Sequence, residues 1–310
     1  MALEQVSEIE LPPHGKAGGF DHAAVHAGRS RLYVAHTAND AVDVVDCATD
    51  RYLGSIPALR EVAGVVVSEA RDLVFTSNRG EDTVAWFPPA REDRLVRLAV
   101  GVRPNGLAYD PGRNRLLVAN VGDPARPGSW SVSRVDVAAR AVIAEVPAPG
   151  RTRWAVFDAE AEAFYVNIVE PPQIVVLEAC APQRIARTVP IPAVGPHGLD
   201  LDPETRRLYC ACDGQALVSL DARSGRLLER AELGGVPDVV FVNPTLGHVY
   251  VAIGEPGVIE VFETDPLRRV QTVPTGRGAH TLTFDPSRHR LYALLPGRHA
   301  ATVYVDGKGP

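Results

Sequence analysis

The chain lacks several features that would have settled its class at once. No stretch approaches the roughly 18 apolar residues needed to span a bilayer, so no membrane helix is expected. The first residues, MALEQVSEIELPP, offer neither a basic nor an apolar signal region, so no secretory leader is read and a cytoplasmic location is expected. The formal net charge is −6 and no basic face is visible, which argues against DNA or RNA as partners. Only four cysteines are present, Cys47, Cys180, Cys210 and Cys212, and none forms a metal-type Cys-x-x-Cys pair or a haem attachment motif. They are expected to be reduced and to act as small core hydrophobes. A G-x-S-x-G elbow, a Walker-type phosphate loop and a dinucleotide fingerprint are all missing, so nucleotide-cofactor redox chemistry is not expected.

What the chain does have is turns and a repeat. Among 310 residues, 27 are Gly and 26 are Pro, too many for a helical protein, and 45% are hydrophobic, ample for a large core. The segment RLYVAHTANDAVDVVDCATDRYLGSI (31–56) recurs in degenerate form as RLLVANVGD (115–123), RRLYCACDGQALVSLDARSGRLLERAEL (206–233) and GHVYVAIGEPGVIEVFETDPLRRVQTV (247–273). Each unit reads as a short apolar strand ending in Asp or a small residue, a turn such as DPGRN or DPETR, and an alternating strand. A Gly, Asn or Asp turn and two further strands follow. Four strands in this pattern make one blade of a β-propeller.

The first strands begin near His22, Ala63, Asn105, Trp154, His197, Asp238 and His280, at spacings of roughly 41–49 residues. Seven starts predict seven four-stranded blades, in one domain covering 1–310. The last blade runs out of chain after three strands, ending at TVYVD (302–306). VSEIEL (6–11) is an alternating strand with no blade of its own, and is expected to close the ring as the last blade's outer strand. The RLYVAHTANDAVDVVD and RLLVANVGD stretches resemble the YVTN-repeat propellers, and the likeness covers essentially the whole chain. That resemblance implies fold rather than activity, because propellers host enzymes and scaffolds alike.

Inner strands begin, and second strands end, on the same face of an antiparallel blade. The inner-strand starts therefore converge on one channel mouth with the residues after the second strands: His36, Asn78, Asn120, Asn167, Asp213 and Glu255. His197, Asp238, His280 and His22 fall in four consecutive blades of the closed ring. Imidazoles and a carboxylate aimed at one axis could share a divalent ion such as Zn, Mn, Fe or Ni. The same histidines could instead brace neighbouring loops, or line a metal-free ligand site. Within the set, His197, His280 and Asp238 are the expected catalytic groups, and Trp154, Asn105, Arg153, His36 and Glu255 the expected substrate contacts.

Other mouth features are weaker. Residues 12–21, with His14 and Lys16, form a lid or a plain connector. The loop VGDPARPGSW (121–130) makes one blade long and brings Trp130 beside Trp154. Arg103, Arg151, Arg153 and Arg277 precede inner strands, where a planar guanidinium could bind a carboxylate or phosphate. His26, His248, His289 and His299 receive no role. The activity expected is a metal-dependent hydrolase or lyase acting on a small molecule, with partial likeness to lactonase-type and streptogramin-lyase-type propellers at GPHGLDLD and GAHTLTFD. The alternative is a non-catalytic propeller that binds a ligand or a protein.

Overall fold

The computed structural model describes residues 3–307. Seven four-stranded antiparallel sheets are arranged as the blades of a β-propeller. From the axis outward, blade one is Ala23–His26, Arg31–His36, Ala41–Asp46 and Arg51–Ile56. The inner strands of blades two to seven are Val62–Ser68, Pro104–Asp110, Thr152–Asp158, Pro196–Asp202, Pro237–Asn243 and Leu282–Asp285. Each lies within two residues of its expected start. The N-terminal strand Leu3–Glu10 is the outer strand of blade seven, running from Leu3 opposite Asp306 to Glu10 opposite Ala300. Gln271 of blade six clasps its start, donating to the Leu3 carbonyl at 3.0 Å and accepting from the Leu3 N–H at 2.8 Å. Among the described residues no helix is long and apolar enough to cross a membrane.

The alternation in the second and third strands buries both faces, so each blade packs against two neighbours. Tyr165, Ile174, Leu199, Leu208, Cys210 and Val218 form one such interblade core, between blades four and five. Cys47, Cys210 and Cys212 are buried free thiols, as expected, whereas Cys180 is exposed. The recurring Asp at strand ends is structural. Asp110, Asp158, Asp202 and Asp285 each accept a backbone N–H two residues on, closing the turns between first and second strands on the face opposite the mouth.

The inner strands carry one local irregularity that builds the site. In blades two to six, pairing with the second strand slips just after its first residue, between Val62 and Val65, Pro104 and Leu107, Thr152 and Ala155, Pro196 and Gly198, and Pro237 and Val240. A bulge of this kind re-aims a side chain. It falls on Asn105, Trp154, His197 and Asp238. At Gly106 a Cβ would stand 2.3 Å from the Arg153 carbonyl oxygen, and at Gly198 2.7 Å from that of Asp238. Neighbouring inner strands touch backbone to backbone there, directly beneath the mouth.

Candidate functional site

His22, Asn105, Arg153, Trp154, His197 and Asp238 line one cavity of about 460 Å³ at the channel mouth. Asp21, Arg79, Arg103, Trp130 and Arg151 complete its wall. A wider groove of about 1000 Å³ lies elsewhere, over the outer strands of blades one and two, and its charged residues sit mostly on exposed turns. The mouth cavity combines converging polar side chains with shifted protonation equilibria, the usual mark of a functional site.

Its floor is a relay of charged groups. His197 Nδ1–H donates to Asp213 at 2.7 Å, while its Nε2 lies 2.9 Å from Asp238 Oδ1 and 2.8 Å from Arg153 Nη1. Burial works against its charged form, but the charge of Asp238 and the bonds to Asp213 and Asp238 outweigh it and lift the imidazole to about 9. His197 is therefore an imidazolium at neutral pH. Asp238 also faces His280 Nε2 at 3.6 Å. Burial alone would raise this carboxyl, yet His197, with smaller help from His280 and His22, holds it well below the usual carboxylate range.

His22 is the opposite case. It is buried, and Trp154 lies against its ring with centroids 4.1 Å apart. Burial lowers its pKa, against the pull of Asp21 and Asp238, and Arg79 and His197 add to the lowering. Its Nε2 faces Asp21 Oδ1 at 3.3 Å, and Arg79 holds the other Asp21 oxygen at 2.8 Å. A proton on Nε2, the nitrogen that faces Asp21, leaves Nδ1 as the basic one. One neutral and one charged imidazole thus share a cavity, the separation by which acid and base roles divide.

The structure does not bring every expected residue to this place. His36 is fully buried away from the cavity, where its Nδ1 donates to Asp43 at 2.7 Å and its Nε2 meets His14 at 2.9 Å. Its side chain turns between blades rather than toward the axis. His14 in turn reaches His299, Nδ1 to Nδ1 at 3.2 Å, so the 12–21 segment is pinned across the junction of blades one and seven. Glu255 sits on the outer rim in a two-pronged pair with Arg277, and its side chain is 66% exposed. His280 lies at the edge, its Nδ1–H given to the Gly278 carbonyl at 2.8 Å.

The expected divalent ion has a donor set to be judged. His197 Nδ1 is engaged by Asp213, and its Nε2 stands between Asp238 and Arg153. Among the described residues no group of three or more His, Cys, Asp or Glu side chains is placed to hold an ion. The array as it stands is an ion-pair network.

Asp21 and Arg79 escaped the reading of inner-strand starts because each sits one residue beside an expected position, before His22 and after Asn78. A rule allowing one residue on either side would have found both.

No family model matches the chain, and no curated protein matches it. Solved structures do match in fold. A chain of hydrazine synthase from Kuenenia stuttgartiensis superposes with a TM-score of 0.81 at 13% identity, over 95% of this chain and 97% of that one. A chain of a mitotic checkpoint complex superposes with a TM-score of 0.81 at 12% identity, over 98% and 92%. At such identities the likeness is one of architecture, shared by an enzyme and by a component of a regulatory assembly: the chain is a seven-bladed β-propeller.

Proposed function

We propose that the protein is an enzyme that moves a proton on a small molecule held at the channel mouth, in a hydrolysis or an elimination. The observation that carries this reading is the neutral His22, oriented by Asp21 and facing the same cavity as the charged His197. Asp21 fixes the His22 tautomer. His22 Nδ1 takes the proton from the attacking water or from the carbon next to the leaving group. Asp238 and His197 hold a fixed charge pattern beneath the reacting atoms, costing no reorganisation as charge develops. His280, partly exposed beside Asp238, is placed to exchange the proton with solvent. The partial likeness of GPHGLDLD and GAHTLTFD to lactonase-type propellers agrees with such a site.

No step here needs a metal, and an ion on these residues would have to displace the His197–Asp238 contact at 2.9 Å. Screening wild type and His22→Ala against lactones, esters and acids with a β leaving group is the test. Turnover by wild type that falls at least a hundredfold in the variant is expected, general-base catalysis being worth about 10²–10⁴. Turnover that survives His22→Ala, or none in wild type, overturns it. Metal analysis and a chelator arm run alongside. Loss of activity on chelation, restored by Zn or Mn, would reinstate the divalent ion. A propeller that only binds would shift its melting temperature with a ligand and turn nothing over.

A further inference from the structure

We propose that the channel-mouth cavity selects a small organic anion, a molecule bearing a carboxylate or phosphate on a compact apolar body, with Arg103, Arg151 and Arg153 as its anion-binding groups. This rests on the small-molecule reading of the same cavity and adds the class of ligand.

The first argument is charge balance. Arg79, Arg103, Arg151, Arg153 and the imidazolium of His197 line the cavity, against Asp21 and Asp238 in the wall and Asp213 behind it. Five positive groups face these three carboxylates, and Asp123, itself paired with Arg126 at 3.1 Å, acts on Arg103 from beside the cavity. The carboxylates are already claimed: Asp21 by Arg79 at 2.8 Å, and Asp213 and Asp238 by His197 at 2.7 and 2.9 Å. Among the described residues the only carboxylate that Arg153 approaches is Asp213, at 3.8 Å, and its Nη1 meets His197 Nε2 at 2.8 Å. No described side-chain bond or ion pair engages the guanidinium groups of Arg103 or Arg151. Burial, then the nearness of Arg153, Arg79 and Arg103, lowers the Arg151 pKa from its ordinary value. Positive charge gathered this closely in excess of its counter-charge is a standing cost, and a bound anion reduces it.

The second argument is unmet hydrogen bonding. The Nε–H groups of Arg79 and Arg153 are buried with no acceptor among the described residues. Buried donors of this kind are costly unless an acceptor arrives, and charged donors gain most from one.

Size and wall select the body of the ligand. A cavity of about 460 Å³ is far larger than an inorganic oxyanion, and the indoles of Trp130 and Trp154 give it an apolar side. Arginine forks bind carboxylate and phosphate in the same two-pronged way, so the shared chemistry is the planar or tetrahedral oxyanion.

Phenyl phosphate, benzoate, inorganic phosphate and neutral benzyl alcohol are the probes, titrated against the full chain by calorimetry and by tryptophan fluorescence. Phenyl phosphate or benzoate is expected to bind, more tightly than inorganic phosphate, with no binding of benzyl alcohol. An Arg103→Gln/Arg151→Gln double variant is expected to weaken the aryl anion at least tenfold. Arg151 is exposed at the rim, so Arg151→Gln alone carries the test should the double variant not fold, and an unchanged urea midpoint verifies it. The inference is overturned by any of three results: no aryl anion binding at millimolar concentration, affinity unaltered in the arginine variants, or benzyl alcohol or inorganic phosphate binding as tightly as phenyl phosphate. His22→Ala separates the two proposals. Anion binding without turnover on any substrate leaves this inference standing and removes the enzyme, whereas turnover of a neutral lactone without anion binding does the reverse.

Discussion

His197→Gln tests the floor of the site through stability, independently of any substrate. The histidine titrates near 6.5 when unfolded and at about 9 in the folded chain, because Asp213 and Asp238 flank it and outweigh its burial. A raised pKa means that the native state binds the proton more tightly than the unfolded one. The stabilisation is therefore complete below pH 6.5 and lost as pH climbs through 9. At 1.36 kcal/mol for each tenfold difference in proton affinity, its full size is about 3 kcal/mol, an upper figure for a side chain that is 15% exposed. Urea unfolding of wild type and His197→Gln at intervals from pH 6 to 9.5 reads it out. The wild type should lose about 3 kcal/mol more than the variant across that span. Burial pushes the Asp200 carboxyl up to about 7, but Asp200 titrates in both proteins and cancels. Parallel curves for the two proteins above pH 6.5 would refute the imidazolium and, with it, the fixed charge beneath His22.

Three further outcomes follow from the same geometry. Burial and neighbouring positive groups lower His22, so the acid limb of the pH–rate profile should lie below pH 6.5, with activity falling as pH drops through it; a limb above 6.5 would contradict a neutral, desolvated base. His14 is also lowered, by burial and then by His36 and His299, so its hold on the 12–21 segment should weaken as pH falls below 6.5. Protease cleavage within 15–19 should therefore quicken between pH 7 and 5 in wild type and lose that dependence in His14→Gln. Gly106→Ala should cost about 1–3 kcal/mol in urea unfolding, since its Cβ meets the Arg153 carbonyl oxygen at 2.3 Å, while Gly15→Ala, with nothing within 4 Å, should be close to neutral.

The architecture was legible because a blade is a local object. Its strands are neighbours in sequence, so alternation and turn residues report it directly, and the orphan VSEIEL strand had only one edge left to join. The mouth was legible for a related reason. Asn105, Trp154, His197 and Asp238 occupy one repeat position, and the same bulge turns each of them to the axis. His36 and Glu255 follow their second strands as expected, but sharing a face does not fix the distance from the axis. His36 turns away from the axis to Asp43 on the third strand of its own blade, and Glu255 turns to Arg277 on the rim. Nothing local reveals that His14 meets His299, 285 residues away, because that contact exists only once the ring has closed. The protonation states were equally hidden: His22 and His197 occupy equivalent positions, but burial prevails over the nearby carboxylates at His22 and drives it down, whereas Asp213 and Asp238 prevail over burial at His197 and drive it up.

The distribution of charge decides how such a site would discriminate. The chain as a whole carries −6, so at long range it repels the anions that its mouth is built to hold. At 0.15 M salt this repulsion fades beyond about 8 Å, whereas the arginines act at contact, within low-dielectric walls where screening is weak. Selectivity then arises after entry, from the fit of an oxyanion among guanidinium groups brought in by separate loops, Arg79 in one and Arg103, Arg151 and Arg153 at the starts of inner strands. Because each loop belongs to a different blade or a different end of one, the spacing of these groups is set by ring closure and by the backbone contacts at Gly106 and Gly198. The packing of inner strands is thus also the ruler for the site, and a substitution that loosens it should degrade binding before it unfolds the protein.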